Sequence, residues 1–566
     1  MPDMLSQPLQ SVANWVANIT LDQVPDRVKD KVHYQILNVL ASQHAAKFHK
    51  GAQNAKHCVI NWGKQGNCTV LPTGEKLPLH EAVLVNCINS MALDYDDYLY
   101  MGHTGHSAIV ASWGLSEALN LDTDQLLLLA IIGNEVGGRL GITTALGPQN
   151  GQAWSYIHSF AAAAITAKAY QLNEAQITHA LAIALYQPGF TLWPGFMGAD
   201  SKLLTAAMPT VQGIQAAQFA REGMTGATDI LHHASKGFWS NFTYASVPHM
   251  LSGLGKAWLS DTLTFKKYPG CAYIDTTMDA LFEIMGKHEK QADGAFDIDD
   301  IKAINIETNL LTLEMDNLSK DYWNENTIPQ TTANFSLPIN VALGLINGRL
   351  SGAELTESHL DLHANTIRKI ANKVQIKHDW GMTLSIIDNI NQCLGNASLA
   401  SSLSFKQWLA VIKGYRSQLN SKHSSHKKRH SIELKKLIQS WRQLWQIISR
   451  KAKRSAQPDL SKVDFSEFKM CFPSKVTLTL NNGQRLSAQQ DLPFGTQMQR
   501  EYFQTVIEKY FVEAGDDEHH MNVIRHLTNR DIWSTTSIKT LNQLIVSAQV
   551  KEEAELAFAQ ATEHAV

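Results

Sequence analysis

LHEAVLVNCINSMALDYDDYLYMGHTGHSA, residues 79–108, begins as a helix and ends in a crowd of titratable groups. Leu79, Val83, Cys87 and Met91 recur every four residues, and Leu84 and Ile88 widen the apolar stripe, as in a helix that buries one face. The positions that follow, 94 to 106, set three aspartates and two histidines within thirteen residues. Gly102 and Gly105 should break the helix after Tyr100, which puts Asp94 on its last turns and His103 and His106 on a flexible connection. An imidazole near neutrality, with a carboxylate to fix its tautomer and stabilise its cation, is a general acid–base pair. Two other readings stand beside that one. Asp-rich helix ends next to glycines are ordinary turn or capping chemistry. Asp94, Asp96, His103 and His106 also carry metal-ligating atoms, although no further ligand-spaced cluster accompanies them.

Working outward, similar helical periodicity marks 26–47, 105–141, 158–186 and 203–222, so the chain from about residue 8 to 260 reads as all-helical. Near residue 300 the period changes. IKAINIETNL (301–310) and KVQIKHD (373–379) alternate apolar and polar residues, and VTLTLNNGQRLSA (476–488) folds across Asn482-Gly483 as a hairpin. Helical spacing returns over about 496–562. The expected fold is mainly α with a smaller α+β domain: a helical domain over 1–262, completed by 496–566, and a mixed domain over 263–495.

A chain of 566 residues with 44% hydrophobic content exceeds one compact core and can bury a substantial interior. Its formal charge is only −3, but 413–454 holds thirteen Lys/Arg against one acid, leaving about −15 for the rest. The six cysteines are scattered without CxxC spacing, which argues against a disulfide framework or a thiolate metal site and makes a reducing cytoplasm the default. The N-terminus lacks a basic start followed by an apolar core, and the longest apolar run, Leu126 to Ile132, is short for a membrane span.

Three further stretches carry candidate chemistry. GPQNGQAWSYIHSF (147–160) offers Gln152 and His158 at the entry of an Ala-rich helix whose N-terminal amides suit an anion, although a lone histidine is more often a satisfied core residue. YQPGFTLWPGFMGADSK (186–202) delivers Lys202 to a helix start, where it either clamps a carboxylate or is simply solvated. FKKYPGCAY (265–273) brings Lys266, Tyr268 and Cys271 to the expected junction between domains, where ligand clefts form, but its lysines also suit a surface and its cysteine an inert core.

Taken in order, these segments resemble the MmgE/PrpD family, whose members include 2-methylcitrate dehydratase, cis-aconitate decarboxylase and an iminodisuccinate epimerase. The resemblance runs from QVPDRVKDKVHYQILNVLA (23–41) through MALDYDDYL, His103, GNEVGGRLG (133–141) and SKLLTAAMPTVQGIQAAQFAREGMTGATDIL (201–231). It continues through Gly237-Phe238 and FKKYPGC to ANFSLPINVALGLINGRL (333–350). It implies a helical domain with an α+β lid, a homodimer, a site in the cleft between domains, and chemistry without a metal, iron–sulfur cluster or other cofactor. Residue by residue it implies catalytic roles for Asp94, His103, Lys202 and Lys266, and a substrate-facing wall that includes Gln152, His158, Tyr98, Tyr268 and Cys271.

The sequence departs from the family pattern in several places. Asn38 stands where the family commonly has Asp, Gln152 where it has a second active-site histidine, and Cys271 where the decarboxylase has a histidine. The decarboxylase's active-site tyrosine has no placed counterpart in 311–327. Glutamine can bond a substrate oxygen but cannot shuttle a proton. A segment over about 395–465 is extra, and within it Leu434, Leu437, Ile438, Trp441, Leu444, Trp445 and Ile448 recur at helical spacing opposite basic residues. That helix suits a cap on its own protein, or contact through 413–454 with a partner or carrier protein or an anionic membrane. Nucleic acid fits least, because the aromatics sit on the apolar stripe.

The expected activity is a lyase for a small carboxylate-bearing substrate, with His103 moving a proton, Asp94 orienting it, and Lys202 and Lys266 holding carboxylate and enolate charge. Loss of water leads, with decarboxylation or epimerisation as alternatives. Outside that class stands a non-catalytic accessory role built on the basic insertion.

Overall fold

The computed structural model describes residues 7–100, 102–148, 155–292, 297–323, 326–398, 402–420 and 460–546. Gln152 and the amphipathic stretch 434–448 lie outside the described residues.

The apolar stripe of the opening segment forms the helix Leu79–Met91. It packs against the helices Asp26–Ala45, Gly105–Leu119 and Leu204–Arg221, so almost its whole circumference is buried. The periodic runs 105–141 and 158–186 are each two helices. Asp122 and Asn173 interrupt them by forming capping boxes with Gln125 and Gln176, which start the helices Thr123–Thr143 and Glu174–Ala184. The helix Thr123–Thr143 is long and apolar enough to cross a membrane by length and composition, unlike the short run expected there, but 94% of its apolar window is buried inside the protein. Its glycines explain the fit: a Cβ on Gly133 would stand 2.9 Å from the Cα of Ala108, and one on Gly138 would stand 2.4 Å from Leu99.

Two large hydrophobic cores divide the molecule. One is built by residues from Leu9 to Phe265 together with Tyr502, Val506, Tyr510, Leu527, Trp533 and Leu541, so the C-terminal helices close on the first ones. Tyr34 stacks on Phe503 at 4.0 Å, and Trp113 Nε1 donates to Asn542 Oδ1 at 2.8 Å. The other gathers Met278, Leu281, Ile304, Ile306, Leu343, Val476 and Leu478 around a four-stranded sheet. Its order is Val374–His378, Ile301–Thr308, Ser474–Leu480, Arg485–Gln490, with the first pair parallel and the others antiparallel. All four strands were legible as alternation, and Gly483 takes the positive φ of 87° that the hairpin turn needs. The fold is therefore mainly α with a smaller α+β part. Within the inserted segment the described residues include the helix Phe405–Asn420.

Candidate active site

The helix Leu79–Met91 stops earlier than the glycines suggested. Asp94 lies beyond it, in a turn, with φ at 53° in the left-handed region that non-glycine residues rarely adopt. The surroundings hold that conformation. Asp94 N donates to Met91 O at 3.1 Å, Gly270 N to Leu93 O at 3.0 Å, and Lys266 Nζ to Asp94 O at 2.7 Å. The chain then enters the strand Asp97–Leu99, which pairs antiparallel with Leu263–Phe265 in the register Tyr98 to Thr264. Lys266 follows that second strand, and its backbone N–H donates to Asp96 O at 3.2 Å. This register carries a lysine 170 residues away to the carboxylate turn.

Two lysines and two aspartates form a buried ionic cluster. Lys266 Nζ is 2.5 Å from Asp96 Oδ1 and 3.6 Å from Asp94 Oδ2, and Lys202 Nζ is 3.2 Å from Asp94 Oδ1. Lys202 comes from the short 3-10 turn Asp200–Leu203 and is buried rather than solvated, beneath the rings of Phe335 at 4.8 Å and Phe196 at 5.9 Å. Its contact with Asp94 is poorly directed for a hydrogen bond, so its N–H groups are available to an added carboxylate. Burial alone would raise the carboxyls, but Lys202 and Lys266 outweigh it at Asp94. Lys266, His103 and His106 do so more strongly at Asp96. Both are therefore anionic at neutral pH. Burial pulls Lys202 below the usual lysine range against the pull of Asp94, whereas at Lys266 the two carboxylates overcome burial and raise it.

His103 sits on the short loop before the helix Gly105–Leu119, with its side chain 14% exposed while the four charged groups above are 2% or less. Its Nδ1 is 2.7 Å from Asp96 Oδ2 and 3.1 Å from the carbonyl of Asp97. Two acceptors at Nδ1 place the proton there, which leaves Nε2 as the basic nitrogen. The carboxylate that orients His103 is thus Asp96. Asp94, expected in that role, instead pairs with the lysines. His106 is not on a flexible connection. It lies buried in the first turn of the helix, with Nε2 3.1 Å from the same Asp96 oxygen and Nδ1 2.9 Å from Ser90 Oγ. The third aspartate, Asp97, accepts from Gln35 Nε2 at 2.8 Å, and burial beside Asp96 raises its carboxyl.

The expected binding residues divide. Tyr98 is buried with its ring 6.1 Å from that of His103, and its hydroxyl has no hydrogen-bond partner among the described residues. Cys271 is buried close enough to the charged cluster to feel Asp94, and burial pushes its thiol up to about 12, which disfavours the thiolate. Tyr268 spends its hydroxyl on Asp279 at 2.9 Å. His158 lies behind His106, with its ring 6.1 Å away and its Nδ1 2.9 Å from Ser107 Oγ. Among the described residues no group of three His, Cys, Asp or Glu side chains is arranged to hold a metal ion. Phe335, against Lys202, and Lys509, on the Tyr95 carbonyl, are residues that no spacing in the sequence singled out. Both reach the cluster from segments distant along the chain.

Fold and site together define a helical protein with a buried acid–base and lysine cluster where its two cores meet: Met91 and Leu99 belong to the first, and Leu93 and Tyr95 to the second. Residues 10–248 match the MmgE/PrpD N-terminal domain and residues 268–385 the MmgE/PrpD C-terminal domain. The chain belongs to the MmgE/PrpD family. Among curated relatives it is similar to a cis-aconitate decarboxylase of Aspergillus terreus, 22% identical over 382 residues that cover 64% of this chain and 76% of the relative. A cis-aconitate decarboxylase from Aspergillus terreus strain NIH 2624 / FGSC A1156 is 22% identical over 386 residues, covering 65% and 77%.

Proposed function

We propose that the protein is a lyase that forms a carbanion next to a carboxylate of a small di- or tricarboxylic acid and expels a β-substituent, with water as the leaving group. One observation carries this reading. Asp96 fixes the tautomer of a partly exposed imidazole beside two buried ammonium groups. His103 Nε2 takes the proton from carbon, and the electron pair of that C–H bond becomes the new double bond as the C–O bond breaks. Lys202 and Lys266 neutralise the substrate carboxylate and the enolate charge that develops on it. The departing hydroxide takes a proton from Lys202, whose ammonium burial has made more acidic.

The names of the two Aspergillus relatives favour a second reading, loss of carbon dioxide. There the C–C bond breaks, its electron pair passes to the same stabilised carbanion, and protonated His103 returns one proton to carbon. NMR identification of products from hydroxy and unsaturated di- and tricarboxylic acids separates the two. An unsaturated acid with all its carbons supports dehydration, and a product one carbon shorter with bicarbonate supports decarboxylation. A panel left untouched by folded protein would count against both.

A homodimer belongs to the same proposal. The helix Leu204–Arg221 turns Leu204, Met208 and Phe219 outward on one face, and Met208 is 60% exposed. A second copy would cover that apolar stripe. The cytoplasmic location is likewise proposed, on six cysteines that are all free.

A further inference from the structure

Lys509 lies on the helix Tyr502–Ala514 and is buried, 2% exposed, yet among the described residues it has no carboxylate within ion-pair distance. Three acceptors converge on its Nζ: Asn38 Oδ1 at 2.8 Å, Ser42 Oγ at 3.2 Å, and the carbonyl of Tyr95. The ammonium also stands 3.9 Å from the centre of the Tyr95 ring. Tyr95 joins Asp94 to Asp96, and its carbonyl accepts from Ser42 Oγ as well. Lys509 therefore grips the Tyr95–Asp96 peptide, one of the two that set the relative orientation of the two carboxylates, while Lys266 holds the other through the Asp94 carbonyl.

We propose that Lys509 is a positioning residue for the site described above, that its ammonium form locks the Asp94–Asp97 turn through the Tyr95 carbonyl, and that deprotonation releases the turn. The inference rests on the reading of that turn as catalytic. Its physical basis is a count of donors. An ammonium has three N–H groups for three acceptors, whereas a neutral amine has two, and its lone pair can be met only by the Ser42 hydroxyl, whose one hydrogen then no longer reaches the Tyr95 carbonyl. Asn38 makes the lock reversible. Its amide oxygen serves the ammonium but brings no charge, and its Nδ2 is buried without a partner among the described residues.

The charged groups facing Lys509 are Asp96 and Asp97 from the turn, Lys266 from beyond the paired strand, Glu513 from its own helix, and Asp275 from the helix that starts there. Tyr95 faces it as a neutral ring, and the helix Asp26–Ala45 contributes only Asn38 and Ser42. Burial is the largest influence and lowers Lys509 to about 7, against the raising pull of Asp96. The sign follows: the lock is closed below that value and opens as pH rises through it.

The test is hydrogen exchange, read by mass spectrometry on peptides spanning 91–100 and 264–272 between pH 6 and 9, each rate divided by its intrinsic rate at that pH. The full-length wild type, Asn38→Asp and Lys509→Met are compared. In the wild type, protection of the Asp94, Lys266 and Gly270 amides should fall at least tenfold between pH 6 and 8.5. Asn38→Asp supplies a carboxylate and should move that fall upward by a pH unit or more. Lys509→Met, if folded, should show the open pattern at every pH. Superimposable wild-type and Asn38→Asp curves, both from folded protein, would overturn the proposal, as would full protection in Lys509→Met. Because exchange needs no substrate, failure of the proposed reaction leaves this result decisive. Once turnover is measured, kcat should follow the same two curves.

Discussion

Asp96 Oδ2 lies 2.7 Å from His103 Nδ1, while the other oxygen of the same carboxylate is 2.5 Å from Lys266 Nζ. One buried side chain therefore fixes both the base and a lysine of the proposed site. Neither neighbouring aspartate side chain does both: Asp94 pairs with the two lysines but not with His103, and the Asp97 carboxylate bonds Gln35.

Asp96→Asn is expected to weaken both relationships. Kinetically, kcat should fall by about 10²–10⁴ with little change in KM, the scale of a misplaced acid–base group. Thermodynamically, removing one partner of a buried pair should cost about 3–5 kcal/mol near neutral pH. The pH dependence has a defined sign. Asp96 is held well below its ordinary value, so its contribution is fully present above the unfolded carboxyl value of about 4 and is lost as pH falls through the folded value. Urea denaturation at a series of pH values should show wild-type stability dropping below pH ~4, with a shallower drop in Asp96→Asn. Parallel curves would contradict this assignment.

Lys202→Met and Lys266→Met should differ. Lys202 has N–H capacity left for a substrate carboxylate, so its loss should raise KM as well as lower kcat. Lys266 also bonds the Asp94 carbonyl, and removing it should leave two buried carboxylates uncompensated. Both should melt lower than the wild type, Lys266→Met by the larger margin, because Lys202→Met leaves Asp94 paired with Lys266.

Thiol labelling offers a check that needs no substrate. Cys58 is exposed, whereas Cys68, Cys87, Cys271 and Cys471 are buried, and burial pushes the Cys271 thiol up to about 12. Iodoacetamide at pH 7.5 should modify Cys58 first, with Cys271 reacting only on unfolding. Early loss of the free Cys271 peptide would show that the cluster is more open than described.

Light scattering addresses the proposed dimer. The wild type should run at twice the chain mass of 62.8 kDa, and Met208→Glu combined with Phe219→Glu should run at once that mass. A wild-type monomer would remove the second copy from the account.

The helical part was legible because burial of one face imposes a period that residues such as Leu79, Val83, Cys87 and Met91 display directly. The sheet was equally plain in the alternation of 301–310 and 476–488. Local pattern could not decide which of Asp94 and Asp96 meets His103. That depends on a left-handed residue at Asp94 and on the register of Asp97–Leu99 with a strand more than 150 residues later, and neither is encoded within the motif. Lys509 is the extreme case, 414 residues from the peptide it holds. In sequence it is one more lysine on an amphipathic helix.

The central claim is that His103 moves a proton between water and carbon. Incubating the protein with the acid panel in deuterated water, with His103→Asn alongside, reads that step directly by NMR and mass spectrometry. The account predicts deuterium at the carbon next to a carboxylate in the wild type, and its loss by two or more orders of magnitude in a His103→Asn protein that melts normally. Equal label in both proteins would contradict it.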